Sequence, residues 1–406
     1  MAVTIPIGPQ HPALKEPINL TVTVDGETIV DIGVRLGYNH RGIEKAGELG
    51  NYIQDIYLTA RICGICSHIH STTFCQGVEE LLGLEVPKRG LYIRTLVCEL
   101  ERIHSHLLWL GVAGHELGFD TLFMYSWRDR EIVMDLLEII SGNRVNYGMN
   151  TIGGVRRNIT DEMKPQILKG IQQLKERTEY YLGVASTEVT FLRRTEGVGL
   201  LPKEKAIELC ACGPTARGSG VEYDVRRDDP YAAYPYLDFK VVTSDLGDVL
   251  GRTVVRVLEV IESCKMCRQI IEELPEGEFR TKAPRKVPAG EVVSKTEAPR
   301  GELLHYIRSN GTDHPERLKV RTPTLANITS VLHCLKGGYI ADIPIVFAAI
   351  DPCMACMDRI MILDSENRNR KEKQAISWEE LRKYSMKWYS DRYQSPSPLK
   401  GEARRV

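Results

Sequence analysis

Two short cysteine pairs, Cys63/Cys66 and Cys353/Cys356, are the residues of this 406-residue chain best suited to chemistry. Four thiolates form a soft donor set that suits zinc, iron–sulfur or nickel far better than a hard cation. The CxxC spacing alone does not choose between a structural zinc site and a redox or catalytic metal. Most of the chain, residues 67–352, separates the two pairs, whereas zinc ribbons usually keep their knuckles closer in sequence, so a shared site would stitch distant parts of the chain together. A third pair, Cys264/Cys267, falls near the apolar stripe of a helical pattern, where free cysteine behaves as a small hydrophobe. It reads as core, as do Cys75, Cys98 and Cys334; a further metal site there would also need Cys210 and Cys212.

Thiolates must be presented by rigid elements. From Asn51 to Leu82 the pattern is helical but broken at Cys63-Gly64-Ile65-Cys66, which puts the first pair at a helix end or in a turn between helices. The apolar run Ile343 to Ile350 reads as a buried strand with Asp351-Pro352-Cys353 at its tip. Helical periodicity also covers roughly 87–110, 130–140 and 161–182, with Gly142 and Gly183 as stops. Another helix is expected over 244–274, with Leu250, Val254, Val257, Ile261, Ile271 and Leu274 near one stripe. Residues 18–35 alternate, with Leu20, Val22 and Val24 on one face. They predict a β-hairpin in which Asp25-Gly26 supplies the positive φ angles of a primed turn. Gly213 to Pro235 reads as a long structured loop of the kind that often carries function. The expected fold is α+β and mainly helical, a helical core with an N-terminal β-hairpin sheet.

Composition narrows the class. Lys+Arg (53) and Asp+Glu (54) nearly cancel, so nucleic acid, which calls for a basic surplus, is not an expected partner. No run approaches the roughly 18 apolar residues of a spanning helix, so any membrane link is expected to come through partners. The start, MAVTIPIGPQHP, lacks the basic and apolar regions of an export signal.

The flanks of the cysteines carry a resemblance. Arg61-Ile62-Cys63-Gly64-Ile65-Cys66 and Asp351-Pro352-Cys353-Met354-Ala355-Cys356-Met357-Asp358-Arg359 are similar to the RxCGxC and DPCxxCxxR signatures of NiFe-hydrogenase large subunits. The likeness continues through GPQHPALKEP, ERIHSHLLWLG, SGNRVNYGMNTIGGVRR, GPTARGSG and EAPRGELLHYIR. These segments resemble the group 4 energy-converting, membrane-bound subfamily, with relatives in archaeal membrane-bound hydrogenases and formate hydrogenlyase and closest in flavour to the Ech and methanogen Ehb type.

The resemblance implies a Ni-Fe centre whose iron carries CO and cyanide ligands. Cys63 and Cys353 would be terminal nickel ligands, and Cys66 and Cys356 would bridge nickel to iron. Arg300 matches the arginine over the metals, where a guanidinium stabilises anionic intermediates. Thr324 matches a hydrogen-bond donor to cyanide, and Glu16 the carboxylate that relays the proton from H2 cleavage after a terminal thiolate has taken it. Asp351 would either orient Arg300 or cap the turn that presents Cys353. The implied partners are a small subunit with a 4Fe-4S cluster, ferredoxin-linked subunits, integral membrane subunits that move H+ or Na+, and a maturation endopeptidase. The implied location is peripheral, on the cytoplasmic face of the cell membrane. Residues 1–359 would form the catalytic domain and 360–406 a C-terminal extension, cleaved after Arg359 on maturation; the extension holds the charged run SENRNRKEK and an amphipathic stretch from Trp378 to Trp388.

Three readings rival this one: a complex I-like subunit on the same fold, which in the resemblance lacks the four cysteines; a sulfur-reducing relative; and a structural zinc scaffold. His104 and His106 lie two apart on one helix and point to different faces, so packing suits them better than metal binding. His68 and His70 read as structural histidines that could also take part in proton movement or partner contact.

Overall fold

The computed structural model describes residues 2–359, together with 380, 383–387 and 390. By contacts the chain divides into Met1–Asp358 and Arg359–Val406. Most of the extension lies outside the described residues, including residue 360 at its cleavage boundary and residues 378, 379, 381, 382 and 388 of the stretch 378–388.

The first unit begins with a three-stranded antiparallel sheet, β1 (Val3–Ile7), β2 (Asn19–Asp25) and β3 (Thr28–Arg35). Asp25 pairs with Thr28, so the expected hairpin forms, but its turn residues are Gly26 and Glu27 and Gly26 has the positive φ, +62°. Leu20, Val22 and Val24 are buried on the face toward the core, as period-2 alternation requires.

Helix α1 (Tyr52–Ala60) opens with a reciprocal cap: Asn51 Oδ1 accepts from the amides of Ile53 and Gln54, and Gln54 Oε1 accepts from the Asn51 amide at 3.1 Å. The chain leaves α1 through the first cysteine pair and re-enters a helix at α2 (Ser67–Leu82). The central layer is then built by α3 (Lys88–Glu116), α4 (Asp120–Ser141), α5 (Lys164–Thr187) and α6 (Val249–Glu272), each packed on its neighbours. Gly142 does end α4, with φ of +81°. Gly183 ends nothing: α5 runs on to Thr187 because Ala185 beyond it is buried in the core.

Helix α6 departs from the simple stripe. Leu250, Val254 and Ile261 are only half-buried, while Arg252, Arg256 and Glu259 are buried. Buried charge is tolerated when paired. Glu259 receives Arg217 at 2.8 Å and His106 Nε2 at 2.9 Å, in a cluster where Arg102 and Arg226 meet Glu99 and Arg217 also reaches Asp224 and Glu297. The bundle is therefore held by ion pairs as well as apolar packing.

A second three-stranded antiparallel sheet, absent from the expected elements, is formed by β4 (Gly290–Ala298), β5 (Gly301–Ser309) and β6 (Pro315–Arg321). It packs on α2, where Gly77 leaves only enough room for Ile307 and Ser294. The loop 213–235 contains three short helical turns, Pro214–Arg217, Val225–Asp228 and Tyr234–Tyr236. Helix α7 (Pro323–Leu335) follows, and Ile343–Ala348, expected as a strand, is helix α8 with Pro344 in its first turn. A short run buried all round has no polar face to reveal its period, so length and composition misled. A last turn, α9 (Met354–Met357), carries Cys356.

Candidate metal centre

Each cysteine of the first pair is fixed by backbone. Cys63 lies in the turn after α1, where the amides of Ile65 and Cys66 donate to its sulfur at 3.3 and 3.4 Å. Cys66 is the residue before α2; against a lowering hydrogen bond with Cys356, the hydrogen bond with Cys63 and burial hold its thiol well above the usual range. The next two amides of α2 are taken by a buried carboxylate: His68 and Ile69 donate to Glu101 at 2.7 and 2.9 Å. Burial pushes the Glu101 carboxyl up to about 8.

The second pair sits on a segment gripped almost group by group. Trp109 Nε1 donates to the carbonyl of Ala348 at 2.7 Å, and Arg256, stacked over Trp109, donates to Ala349 O at 2.8 Å. Asp351 adopts φ of +53°, a left-handed conformation unusual for a residue with a side chain. Arg300 fastens that turn, with Nε on Asp351 O at 2.7 Å and a terminal nitrogen on Oδ1 at 2.8 Å. Thr324 Oγ1 accepts from the Cys353 amide at 3.2 Å, leaving its own hydroxyl proton to donate. Glu16 accepts from the amides of Met354 and Ala355. One guanidinium joins the pairs: Arg41 donates to the carbonyls of Arg61 and Ile62 and, at 2.9 Å, to Ala355.

These elements bring the four sulfurs together. Cys63 and Cys353 lie 3.5 Å apart, Cys66 and Cys356 3.8 Å, and Cys353 and Cys356 3.0 Å. All four residues are buried, and Cys63, Cys66 and Cys356 fall within 4.8 Å of one another. Tetrahedral metal–sulfur bonds of about 2.3 Å imply sulfur separations of about 3.8 Å, close to the Cys63–Cys353 and Cys66–Cys356 distances, while Cys353 and Cys356 stand closer together; four sulfurs are a donor set that suits a soft metal ion. Hydrogen bonds from Cys353, Cys356 and Cys66 hold the Cys63 thiol well below the usual range, whereas Cys356, hydrogen-bonded to Cys353 and Cys63, is held well above it.

A cavity of about 420 Å³ reaches the site. Cys63, Cys353, Glu16, Arg300 and Asp351 line it, and Leu108, Trp109, Val112 and Phe347 make much of its wall apolar. Burial raises the Glu16 carboxyl above the ordinary glutamate range, against the amides of Met354 and Ala355 that lower it. Glu16, Arg300, Asp351 and Thr324 therefore all adjoin the cysteines. Asp351 Oδ1 is spent on Arg300 and Oδ2 has no hydrogen-bond partner, so the turn is held by Arg300 and not by an Asp351 cap.

The remaining candidates separate. His70 Nε2 lies 3.7 Å from Cys356 Sγ, but His68 faces away, to Arg94 O at 3.2 Å. Burial lowers both, to about 4 and about 3. His104 meets Arg130 at 2.5 Å and His106 meets Glu259, so neither reaches the sulfurs. Cys264 and Cys267 are in the apolar core, and among the described residues they join no metal-binding group. Sequence reasoning missed Arg41, Ser105 (which accepts from Arg300 at 3.2 Å), Trp109, Arg256 and His305; three of them lie inside the segments that carry the family resemblance, but nothing in the chain alone gave their partners.

Fold and site together define a large subunit of the type shared by NiFe-hydrogenases and respiratory complex I. Residues 41–112 match the nickel-dependent hydrogenase family, and residues 116–287 and 281–359 match the 49 kDa subunit of respiratory-chain NADH dehydrogenase. The membrane-bound hydrogenase subunit alpha of Pyrococcus furiosus is 45% identical, covering 89% of this chain and 88% of its own. The carbon monoxide-induced hydrogenase of Rhodospirillum rubrum is 39% identical over 88% of this chain and 99% of its own. An NADH-quinone oxidoreductase subunit of Dehalococcoides mccartyi is 41% identical over 87% of this chain and 97% of its own. A chain of the membrane-bound sulfane sulfur reductase, an archaeal respiratory membrane complex, superimposes with a TM-score of 0.84 at 32% identity, covering 88% of this chain and 98% of its own. The chain belongs to the complex I-like, group 4 family of NiFe-hydrogenase large subunits. Its relatives are subunits of membrane-bound assemblies, and no described helix of this chain is long and apolar enough to cross a membrane.

Proposed function

We propose that this chain is the catalytic large subunit of an energy-converting NiFe-hydrogenase. The observation that carries the reading is the convergence of Cys63, Cys66, Cys353 and Cys356 on one buried point at the end of a cavity that also exposes Glu16 and Arg300. Bound there, a Ni-Fe centre with CO and cyanide on iron supplies the reversible splitting of H2 into protons and electrons. Cys63 and Cys353, which line the cavity, together with Cys66 and Cys356 would hold the metals, with the two cavity-lining sulfurs as the candidates for terminal ligands.

The protein's own residues handle charge and protons. Arg300 is fixed by three hydrogen bonds, to Asp351 O, Asp351 Oδ1 and Ser105, so its positive charge stands ready without reorganisation. Glu16 has one carboxylate oxygen committed to the Met354 and Ala355 amides, and the other is available to take a proton at the cavity and pass it outward. Thr324 Oγ1 accepts from the Cys353 amide, which leaves its hydroxyl proton free for an acceptor, and it would donate to a cyanide if one were held there. Apolar walls keep water from competing.

Electrons leave through a 4Fe-4S cluster of a small subunit toward ferredoxin, and integral membrane partners couple the reaction to H+ or Na+ movement at the cytoplasmic face of the membrane. The likeness to a sulfane sulfur reductase supports a second reading on the same four sulfurs, sulfur reduction. Hydrogen–deuterium exchange and polysulfide reduction measured side by side on the purified complex separate them. Exchange in the wild type and none in Cys353→Ser is the expected result; sulfur reduction without exchange would replace the hydrogenase reading with the second.

A further inference from the structure

We propose that His305 is a positioning residue that fixes the tautomer of His70 and so aims the His70 Nε2–H at the sulfur of Cys356. This rests on the reading above, in which Cys356 is a metal-bound thiolate. His70 lies one turn beyond Cys66 on α2, and His305 lies at the middle of β5, the strand packed against that helix. Both rings are buried, 1% and 0% exposed. Two contacts link them to the centre: His70 Nε2 is 3.7 Å from Cys356 Sγ, and His70 Nδ1 is 3.2 Å from His305 Nε2.

The direction of this chain follows from what each atom can do. A metal-bound thiolate offers lone pairs and no proton, so the His70 nitrogen facing it must be the donor. His70 is buried and, among the described residues, no carboxylate pairs with its ring, so an unpaired charge there would be costly; a neutral imidazole that donates from Nε2 can only accept at Nδ1. His305 Nε2 must then carry the proton, which leaves His305 Nδ1 bare. That atom is buried and has no hydrogen-bond partner.

The orphaned nitrogen is the second observation. A histidine wholly inside the core, with one ring nitrogen unsatisfied, is a poor choice for packing alone, because an apolar side chain of similar size would carry no such penalty. What offsets the penalty is the single hydrogen bond at the other nitrogen, whose recipient is His70. Partners one step removed from a metal ligand set its orientation and its electron density, and a donor aimed at a bridging sulfur draws density away from the metals.

The test uses the complete purified complex in wild-type, His305→Gln and His305→Leu forms. Nickel content and the infrared CO and cyanide bands are recorded for each. Glutamine keeps an N–H donor near the position of Nε2; leucine removes it. The expected result is full nickel in all three, bands displaced in His305→Leu and returned to their wild-type positions in His305→Gln. Nickel-loaded His305→Leu with wild-type bands would overturn the proposal and leave the hydrogenase reading standing. A wild-type complex with neither nickel nor these bands would remove that reading and the proposal with it. If His305→Leu does not assemble, 15N-histidine spectra of the wild type decide: both rings should carry their proton on Nε2, and a proton on Nδ1 of either one overturns the assignment.

Discussion

Cys63/Cys66 and Cys264/Cys267 share one spacing and have opposite chemistry. Cys264 and Cys267 sit inside the unbroken helix α6, among apolar neighbours, and burial raises the Cys264 thiol to about 12 and Cys267 well above its usual value. Cys63 and Cys66 sit where two helices meet, with amides of Ile65 and Cys66 pointing at sulfur and a second pair 3.5 to 3.8 Å away. In mid-helix every amide is already committed to a carbonyl, so none is left to stabilise a thiolate. Breaking the helix at the cysteines, more than the CxxC spacing, makes Cys63/Cys66 the pair suited to holding a metal.

The contrast can be broken most severely at the second pair. Cys353→Ser should abolish metal loading and drop hydrogen turnover to background, whereas Cys264→Ala and Cys267→Ala should keep full nickel and turnover; metal analysis and exchange assays check both arms. Equal metal loss from both pairs would erase the distinction.

Glu16→Gln comes next. Removing a proton acceptor should cost about 10² to 10⁴ in turnover while nickel content stays whole. The Glu16 pKa is raised by burial, so the acid limb of hydrogen oxidation should lie above the ordinary glutamate range and be absent in the variant. The stabilising effect of burying its neutral form is likewise present at low pH and lost as pH rises through the raised value. Wild-type exchange in Glu16→Gln would assign the relay elsewhere.

Arg300→Lys should lower turnover by about 10²-fold with nickel retained, because an ammonium cannot span Asp351 O, Asp351 Oδ1 and Ser105 together. The smallest effects belong to the core pair. Cys264→Ala should cost about 1 to 2 kcal/mol of stability, read as a fall in Tm of a few degrees. In metal-free folded protein at pH 8, alkylation should modify Cys63, which faces the cavity, and spare Cys264, whose thiolate forms only as pH nears 12.

Much of this arrangement was legible in the chain. The helix break at Cys63–Cys66, the hairpin at 18–35 and the stop at Gly142 follow from local rules, and the residues around the cysteines carried the family. What was hidden is long-range. The run Ile343–Ile350 reads as strand or helix equally well until its neighbours are known. Arg252, Arg256 and Glu259 break the apolar stripe of α6, and only their carbonyl and ion-pair partners from other segments explain their burial. Arg41 illustrates the limit: nothing near it in sequence says that one guanidinium will hold Arg61, Ile62 and Ala355 at once.

Whether the four converging cysteines hold nickel and iron is decided by metal analysis combined with infrared spectroscopy of the complex, purified without oxygen after maturation. About one nickel per chain is expected, together with bands of CO and cyanide on iron. Zinc in place of nickel, with no such bands, would contradict the hydrogenase reading and leave the four cysteines as a structural site.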